Sequence, residues 1–492
     1  MTKPSSSFSG NVLKLVSGSV LAQGLGVLAA PIVARLYAPE AFGIASIIIS
    51  ISGILGVVSC LRYELAIMLP ETDEEAANLL VLCLCFVVAT TALSVLVLFF
   101  CGKYIAQTIN APEMNKYLWF VPISVFFSGI SLALSYWNSR TKHFGRLSIA
   151  RITTSAATQM SKLGTGVAGY VSAGVLIMSG IAGQVVSTTL LGWLLWKNDG
   201  HLFKGDITKK RMIEGFKRHK NFPLFGTWSA LLNSASRQLP PLLLAFYFSP
   251  EIVGFYALGR NVLSLPMTLV GGAVSQVFFQ KASEANRQAG KLPQIVEDVF
   301  KRLCSLGLFP VLLLTLIGKD LFVVVFGERW AEAGVYMQIL GIWIFFVFIS
   351  SPISTLFSIL EKQRCGLVFN IGLFSSRVLS LCVGGWLGDA RFAVILFSST
   401  GTIAYSILVF WIMSCAKVRM LQVLKVFGKN IVMAAPAIIM IAVCKLIFDF
   451  TPFWVLTAGI ICGIFYSVII IEQDKELKKP IMIWARNLFG RC

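Results

Sequence analysis

Fourteen apolar runs follow one another between residues 11 and 471, separated by charges, proline or glycine. Each is close to the ~20 residues a helix needs to cross about 30 Å of hydrocarbon. A water-soluble domain carries about a quarter charged residues, whereas this chain has 13% charged against 56% hydrophobic. The bilayer is therefore its solvent. Because hydrocarbon cannot satisfy backbone amides and carbonyls, runs of this length must close their own hydrogen bonds as helices. The sequence thus predicts an all-α polytopic membrane protein of about fourteen transmembrane helices and excludes intrinsic disorder. Eleven cysteines, an odd number with no Cys-x-x-Cys pair, read as reduced residues of the apolar runs.

Lys and Arg number 42 against 23 Asp and Glu, a formal net charge of +19. Such an excess suggests nucleic acid until it is tested as topology. With the N-terminus inside, 29 cations fall in inner segments and six in outer ones, the inner set including eight from Lys197 to Lys220. The charge is then a positive-inside signal, nucleic acid is not required as a partner, and both termini are expected in the cytoplasm. The run from Val12 to Ala34 is too long for a signal peptide and carries Lys14, Gln23 and Pro31, so it counts as the first span.

The turn after the first span reads Leu36-Tyr-Ala-Pro-Glu-Ala-Phe-Gly43, and the turn after the seventh reads Tyr247-Phe-Ser-Pro-Glu-Ile-Val-Gly254. Pro, Glu and Gly recur at one offset, with proline ending one helix and an acidic first turn opening the next. Six spans separate the two turns. An even number makes the halves enter the membrane in the same direction, which is the parallel repeat of transporters with a site between the halves. The expected organisation is a six-helix lobe over 1–200, a basic linker over 201–222, a second six-helix lobe over 223–416, two extra helices within 417–471 and a cytoplasmic tail over 472–492.

Seven cations lie inside spans: Lys14, Arg151, Lys162, Arg237, Arg260, Arg377 and Lys445. Each costs about 2.5–3.5 kcal/mol on the insertion scale near a helix centre, and no Asp or Glu lies deep in any of the spans as drawn. At 3.6 residues per turn Arg151, Thr154, Ser155, Thr158, Lys162 and Thr165 share one face of the fifth span, a polar stripe expected to meet a cavity. Lys445 is expected to reach the headgroups by its own length. The other six, Lys14, Arg151, Lys162, Arg237, Arg260 and Arg377, are the candidate substrate-binding residues of a cationic central chamber. A chamber lined by cations selects an anion, and arginine forks suit phosphate. No catalytic or metal-ligating set is expected: the sequence has no zinc spacing, no phosphate-binding Gly-Lys-Ser/Thr loop and no serine elbow.

Three segments carry a resemblance over nearly the whole length. They are Arg35 to Gly43, the Arg62-Tyr-Glu-Leu-Ala-Ile-Met-Leu-Pro70 segment with its acidic continuation to Glu75, and Phe326-Gly-Glu-Arg-Trp-Ala-Glu-Ala-Gly334. In this ordered set the chain resembles Wzx-type oligosaccharide flippases of the multidrug/oligosaccharidyl-lipid/polysaccharide exporter superfamily. The resemblance implies twelve spans plus two peripheral helices and an alternating-access mechanism. It also implies carriage of undecaprenyl-pyrophosphate-linked oligosaccharide across a bacterial inner membrane for O-antigen or capsule synthesis. A polysaccharide polymerase and a chain-length regulator are the implied protein partners, membrane lipids the surroundings, and a monomer without cofactor the working unit. In a related lipid-flippase branch the last two spans hold the polyprenyl tail. Two rivals remain at this stage: a cation-coupled multidrug antiporter of the same fold, which would need an embedded carboxylate, and a membrane-bound polymerase or ligase, which would need a catalytic outer loop.

Overall fold

In the computed structural model the described residues are 8–109, 112–203, 207–287, 292–360, 362–448 and 450–473. Fourteen helices of 20 residues or more account for nearly all of them. We number these α1 (Phe8–Leu36), α2 (Pro39–Val58), α3 (Asp73–Thr108), α4 (Phe120–Arg140), α5 (Phe144–Val167), α6 (Ala173–Asp199), α7 (Thr227–Tyr247), α8 (Pro250–Arg287), α9 (Leu292–Phe326), α10 (Ala331–Ile353), α11 (Gln363–Trp386), α12 (Ala390–Cys415), α13 (Met420–Leu446) and α14 (Pro452–Gln473). Eleven of the fourteen are apolar and long enough to cross a membrane on composition alone. The other three, α5, α7 and α8, are long enough but carry candidate cations.

Helix ends were the least legible feature. The ninth apolar run, expected over 303–317 and broken by Lys319 and Asp320, is one continuous helix of 35 residues with both charges inside it. The thirteenth, expected from residue 430, begins as helix at Met420. A charged residue ends an apolar run in the sequence but does not end a helix, since Lys and Asp are compatible with α geometry. The expected cytoplasmic tail falls almost wholly at 474–492, outside the described residues.

By packing, the chain forms two compact units: residues 1–257 with 381–390, and residues 258–380 with 391–492. In the first unit α1 packs on α5, α5 on α6, and α2 on both α6 and α7. The two repeated turns meet within this unit. A Cβ built on Gly43 would lie 1.6 Å from the Pro250 carbonyl oxygen, and one on Gly254 would lie 2.0 Å from the Pro39 carbonyl oxygen. Each glycine thus sits on the proline of the other turn, the reciprocity a local two-fold axis requires. Glycine is there because backbone must touch backbone.

In the second unit α9 packs on α10, α13 and α14. Phe309 of α9 stacks on Tyr466 of α14 at 4.2 Å between ring centroids, and Ala434, Ile441, Val455 and Cys462 close the seam. The opposite face of α14, with Phe453, Ile461, Ile464 and Phe465, is left exposed as a lipid-facing surface would be. All ten described cysteines are free thiols.

Five of the long helices end in a left-handed residue. After α5, α9 and α11 it is glycine: Gly169, Gly327 and Gly388. After α4 and α12 it is a cation, Lys142 at φ 55° and Lys417 at φ 58°, whereas Leu61 at φ 49° and Arg62 at φ 64° make the turn between α2 and the short helix Tyr63–Ala66, with Arg62 at the N-cap of that helix. An L-residue there is strained by roughly 1–2 kcal/mol, while a cation beside a helix C-terminus returns about 0.3–1 kcal/mol through the dipole.

Candidate functional site

The surroundings of each embedded cation decide between a binding role and a structural one. In α5, Arg151 is exposed and its Nη1 donates to Ser19 Oγ of α1. Lys162 is half-buried, and its carbonyl accepts the Tyr37 hydroxyl at 2.9 Å. The expected polar stripe divides. Ser155 donates to the Ala22 carbonyl of α1 at 2.6 Å, Thr165 lies 3.2 Å from the same Tyr37 hydroxyl, and Thr154 and Thr158 lie against Gly183 of α6. These four hydroxyl residues join helices, so the reading of an unbroken wet stripe is corrected. A helical projection shows which residues share a face and does not show whether that face meets water or another helix.

On α7, Arg237 is exposed, while Ser234 one turn earlier is buried and donates to the Gly53 carbonyl of α2 at 3.0 Å. The side chain of Lys14 lies outside the described residues. Arg151, Lys162 and Arg237 therefore belong to the first unit, each in its own neighbourhood. In the second unit Arg260 of α8 is half-buried with Ser264 donating to its carbonyl. Arg377 of α11 is 7% exposed, its Nη2 lies 3.5 Å from the Tyr405 hydroxyl of α12, and its carbonyl accepts Ser380 Oγ at 3.1 Å.

Among the described residues Arg151, Lys162, Arg237 and Arg260 have no acidic partner. The contrast is Lys445. Expected to reach the headgroups, it instead sits 2.6 Å from Asp320 Oδ2 and 2.9 Å from the Leu316 carbonyl oxygen, both on α9. Asp320 was unreadable as its partner because the sequence placed it at the end of a short span rather than inside a long helix. Lys445 is thus a structural tie of α13 to α9, whereas four of the candidate cations keep an unneutralised positive charge. Such a group is satisfied by water or by an anionic ligand, and an arginine fork offers a phosphate two parallel donors.

At one end of the first unit the cations behave differently. Arg140 holds the turn before α3 through the carbonyls of Ile67, Pro70 and Thr72 and through Asp73 Oδ1 at 3.0 Å. Arg146 faces Asp199 at 3.8 Å and Trp137 Nε1 donates to the same carboxylate at 2.9 Å. Glu64, part of the Arg62 to Pro70 segment, is not a candidate from the sequence. It lies in the short helix Tyr63–Ala66, outside the long helices, and is wholly buried with Arg62 Nη1 3.2 Å away. Neither carboxylate oxygen has a hydrogen-bond partner among the described residues. Burial pushes its carboxyl above the usual glutamate range, against the pull of its own backbone amide and of Arg62.

A raised acid pKa means that the folded state holds the proton more tightly than the unfolded one, so this group's contribution to stability is full below the unfolded pKa and falls as pH rises toward the folded one. Glu64→Gln is accordingly expected to melt progressively higher relative to the parent protein as pH is raised from about 4 to 7. Melting curves of both proteins in detergent check this, and a difference independent of pH would remove the assignment.

Helices of this number, length and apolar character define a multi-pass membrane protein. A structure titled lipid II flippase MurJ, in an inward closed conformation, shares the fold with a TM-score of 0.74 at 14% identity, over 93% of this chain and 99% of that one. The family model described as polysaccharide biosynthesis protein matches residues 32–335, and the chain belongs to that family. It is 23% identical over 327 residues to the teichuronic acid biosynthesis protein TuaB of Bacillus subtilis (strain 168), a stretch covering 65% of this chain and 62% of TuaB. It is 25% identical over 174 residues to the lipopolysaccharide biosynthesis protein WzxC of Escherichia coli (strain K12), covering 34% of each. The matched stretches span about three fifths of the first relative and a third of the second, and they bear out the resemblance to Wzx-type proteins.

Proposed function

We propose that this protein is a flippase carrying undecaprenyl-pyrophosphate-linked oligosaccharide units from the cytoplasmic to the periplasmic leaflet of a bacterial inner membrane, for assembly of a surface polysaccharide such as O-antigen or capsule. The observation that carries the reading is that Arg151, Lys162, Arg237 and Arg260, on the long helices α5, α7 and α8, have no acid beside them among the described residues in a chain of this family. Lys14, Arg151, Lys162, Arg237, Arg260 and Arg377 are the residues proposed to meet the diphosphate. In this reading the lobes 1–200 and 223–416 alternate about a shared chamber, joined by the basic linker 201–222, with the two extra helices of 417–471 outside them. The inside-negative potential drives each phosphate charge outward by about 2.3 kcal/mol per 100 mV, so no ion need be coupled to the step.

The helix caps support the orientation. With both termini in the cytoplasm, the two cationic left-handed caps, Lys142 and Lys417, fall at inner ends, and the three glycine caps fall at outer ends. That is the distribution the positive-inside rule favours. The protein is proposed to act as a monomer that hands its cargo to a polysaccharide polymerase under a chain-length regulator. An antiporter reading would need a carboxylate free for a cation, and Asp320, inside α9, is already held by Lys445.

Deleting the gene and extracting lipids tests the proposal. Lipid-linked glycan is expected to accumulate, accessible only from the inner face, while surface polysaccharide is lost. Unchanged surface polysaccharide, or glycan that reaches the outer leaflet unpolymerised, would assign the protein elsewhere.

A further inference from the structure

A second cationic feature lies apart from the candidate cations, inside the second unit where α9 and α13 run side by side. Glu297, Lys301 and Ser305 recur every four residues on one face of α9. Gln422, Lys425, Val426, Lys429, Asn430 and Met433 form the facing stripe of α13. Between them is a cavity of about 430 Å³, within the size range of small-molecule sites.

Its floor is polar and built. Asn430, 3% exposed, accepts Ser305 Oγ at 2.8 Å and donates to the Val426 carbonyl at 2.8 Å. The Tyr466 hydroxyl of α14 donates to the Ser305 carbonyl at 3.3 Å. Three helices thus fix an amide and a hydroxyl under an opening rimmed by three exposed lysines. Lys301 is 2.6 Å from Glu297, whereas Lys425 and Lys429 have no acidic partner among the described residues. With three ammonium groups against one carboxylate, the site holds an excess of two positive charges.

The sequence places this site at a defined depth. The apolar runs of the two helices begin at residues 303 and 430, so Lys301, Lys425 and Lys429 lie just before hydrocarbon starts. On α13, beside the opening, Leu421, Leu424, Ile431 and Val432 are exposed, an apolar flank of the kind acyl chains cover. Lysines that only marked the inner side of the membrane would point outward around each helix. Here two helices turn theirs toward one cavity above a buried amide.

We propose that this cavity binds the phosphate of an anionic lipid headgroup, with Lys425 and Lys429 neutralising the charge, Asn430 and Ser305 positioning the site from below, and the acyl chains lying along the exposed flank of α13. The shared chemistry is a phosphate ester at the membrane surface, carried either by bulk phospholipid or by a polyprenyl phosphate. The proposal does not rest on the flippase reading, because a lipid can occupy this site whatever passes elsewhere through the protein.

The test uses the full-length protein in detergent, incubated with phosphatidylglycerol, with undecaprenyl phosphate or with phosphatidylcholine, and retained lipid is counted by native mass spectrometry. Lys425→Gln with Lys429→Gln is expected to weaken retention of at least one of the two anionic lipids by about tenfold or more, leaving phosphatidylcholine, whose phosphate is balanced by its own ammonium, unchanged. The control, Lys417→Gln with Arg419→Gln, removes the same charge from the turn before α13, away from the cavity, and is expected to retain both lipids normally. Loss with phosphatidylglycerol alone assigns the site to bulk lipid, loss with undecaprenyl phosphate alone assigns it to the carrier, and loss of both assigns it to the shared phosphate. Equal loss in the control pair, or no loss in either pair, overturns the proposal. A melting curve for each variant separates lost binding from lost fold.

Discussion

Gly43→Ala is expected to lower the melting temperature markedly and to abolish surface polysaccharide, and adding Gly254→Ala to the same chain is expected to cost little more. The new methyl carbon would stand 1.6 Å from the Pro250 carbonyl oxygen, where real Cβ atoms are not found under 3.0 Å. The first turns of α2 and α8 must therefore part by more than an ångström. Overpacking of a rigid contact costs typically about 1–3 kcal/mol and occasionally more, and here neither neighbour can rotate away, since both are backbone. Gly254 makes the mirror contact with the Pro39 carbonyl, so once one substitution has opened the seam the other finds room. The signature is a large negative coupling in a double-mutant cycle, read by thermal melting of the four proteins. Additive losses would show the two contacts to be independent, and single variants that melt and export like the parent would show that the two turns do not meet as described.

The second large effect concerns Arg237, Arg260 and Arg377. Each alanine variant is expected to lose export while the protein inserts at least as well as the parent. The two signs have one origin. A cation in a span costs roughly 2.5–3.5 kcal/mol to insert, so removing it relieves insertion. The same removal takes from a bound phosphate an interaction whose truncation costs about 2–5 kcal/mol when desolvated, enough to depress transport more than thirtyfold. Lysine at each position is expected to restore part of the activity, since it returns the charge without the two-pronged donor. Export is followed by surface polysaccharide and insertion by the amount of membrane-bound protein. Normal polysaccharide in all three alanine strains would end the chamber reading, and lower insertion in all three would make these residues structural.

How much of this was legible depended on the kind of question. All fourteen long helices could be found from apolar runs, because hydrocarbon forces each run to close its own hydrogen bonds. Their ends could not. Lys319 and Asp320 read as a break in α9 and are part of it, and ten further residues of helix precede the apolar run of α13. The repeat was visible as Pro, Glu and Gly at a constant offset, but that Gly43 and Gly254 touch each other's prolines is long-range information carried by no local pattern. The candidate cations were read from their depth and helical spacing, which could not distinguish Lys445, held by Asp320, from Arg260, which has no acid beside it among the described residues. Glu64 was legible only as part of a resembling segment, because a glutamate two residues from an arginine in a turn looks solvated, and only packing shows it sealed.

The attachment of α13 and α14 has a mechanical consequence. One end of α13 is pinned to α9 by the Lys445 to Asp320 pair, the other by the hydrogen bond from Ser305 to Asn430, and α14 is clamped to the same helix by the stacked rings of Phe309 and Tyr466. Three fasteners at three heights leave this pair no independent hinge. Any tilt of α9 drags both helices through the surrounding lipid as an outrigger, and whatever acyl chain lies along them is towed by the same stroke.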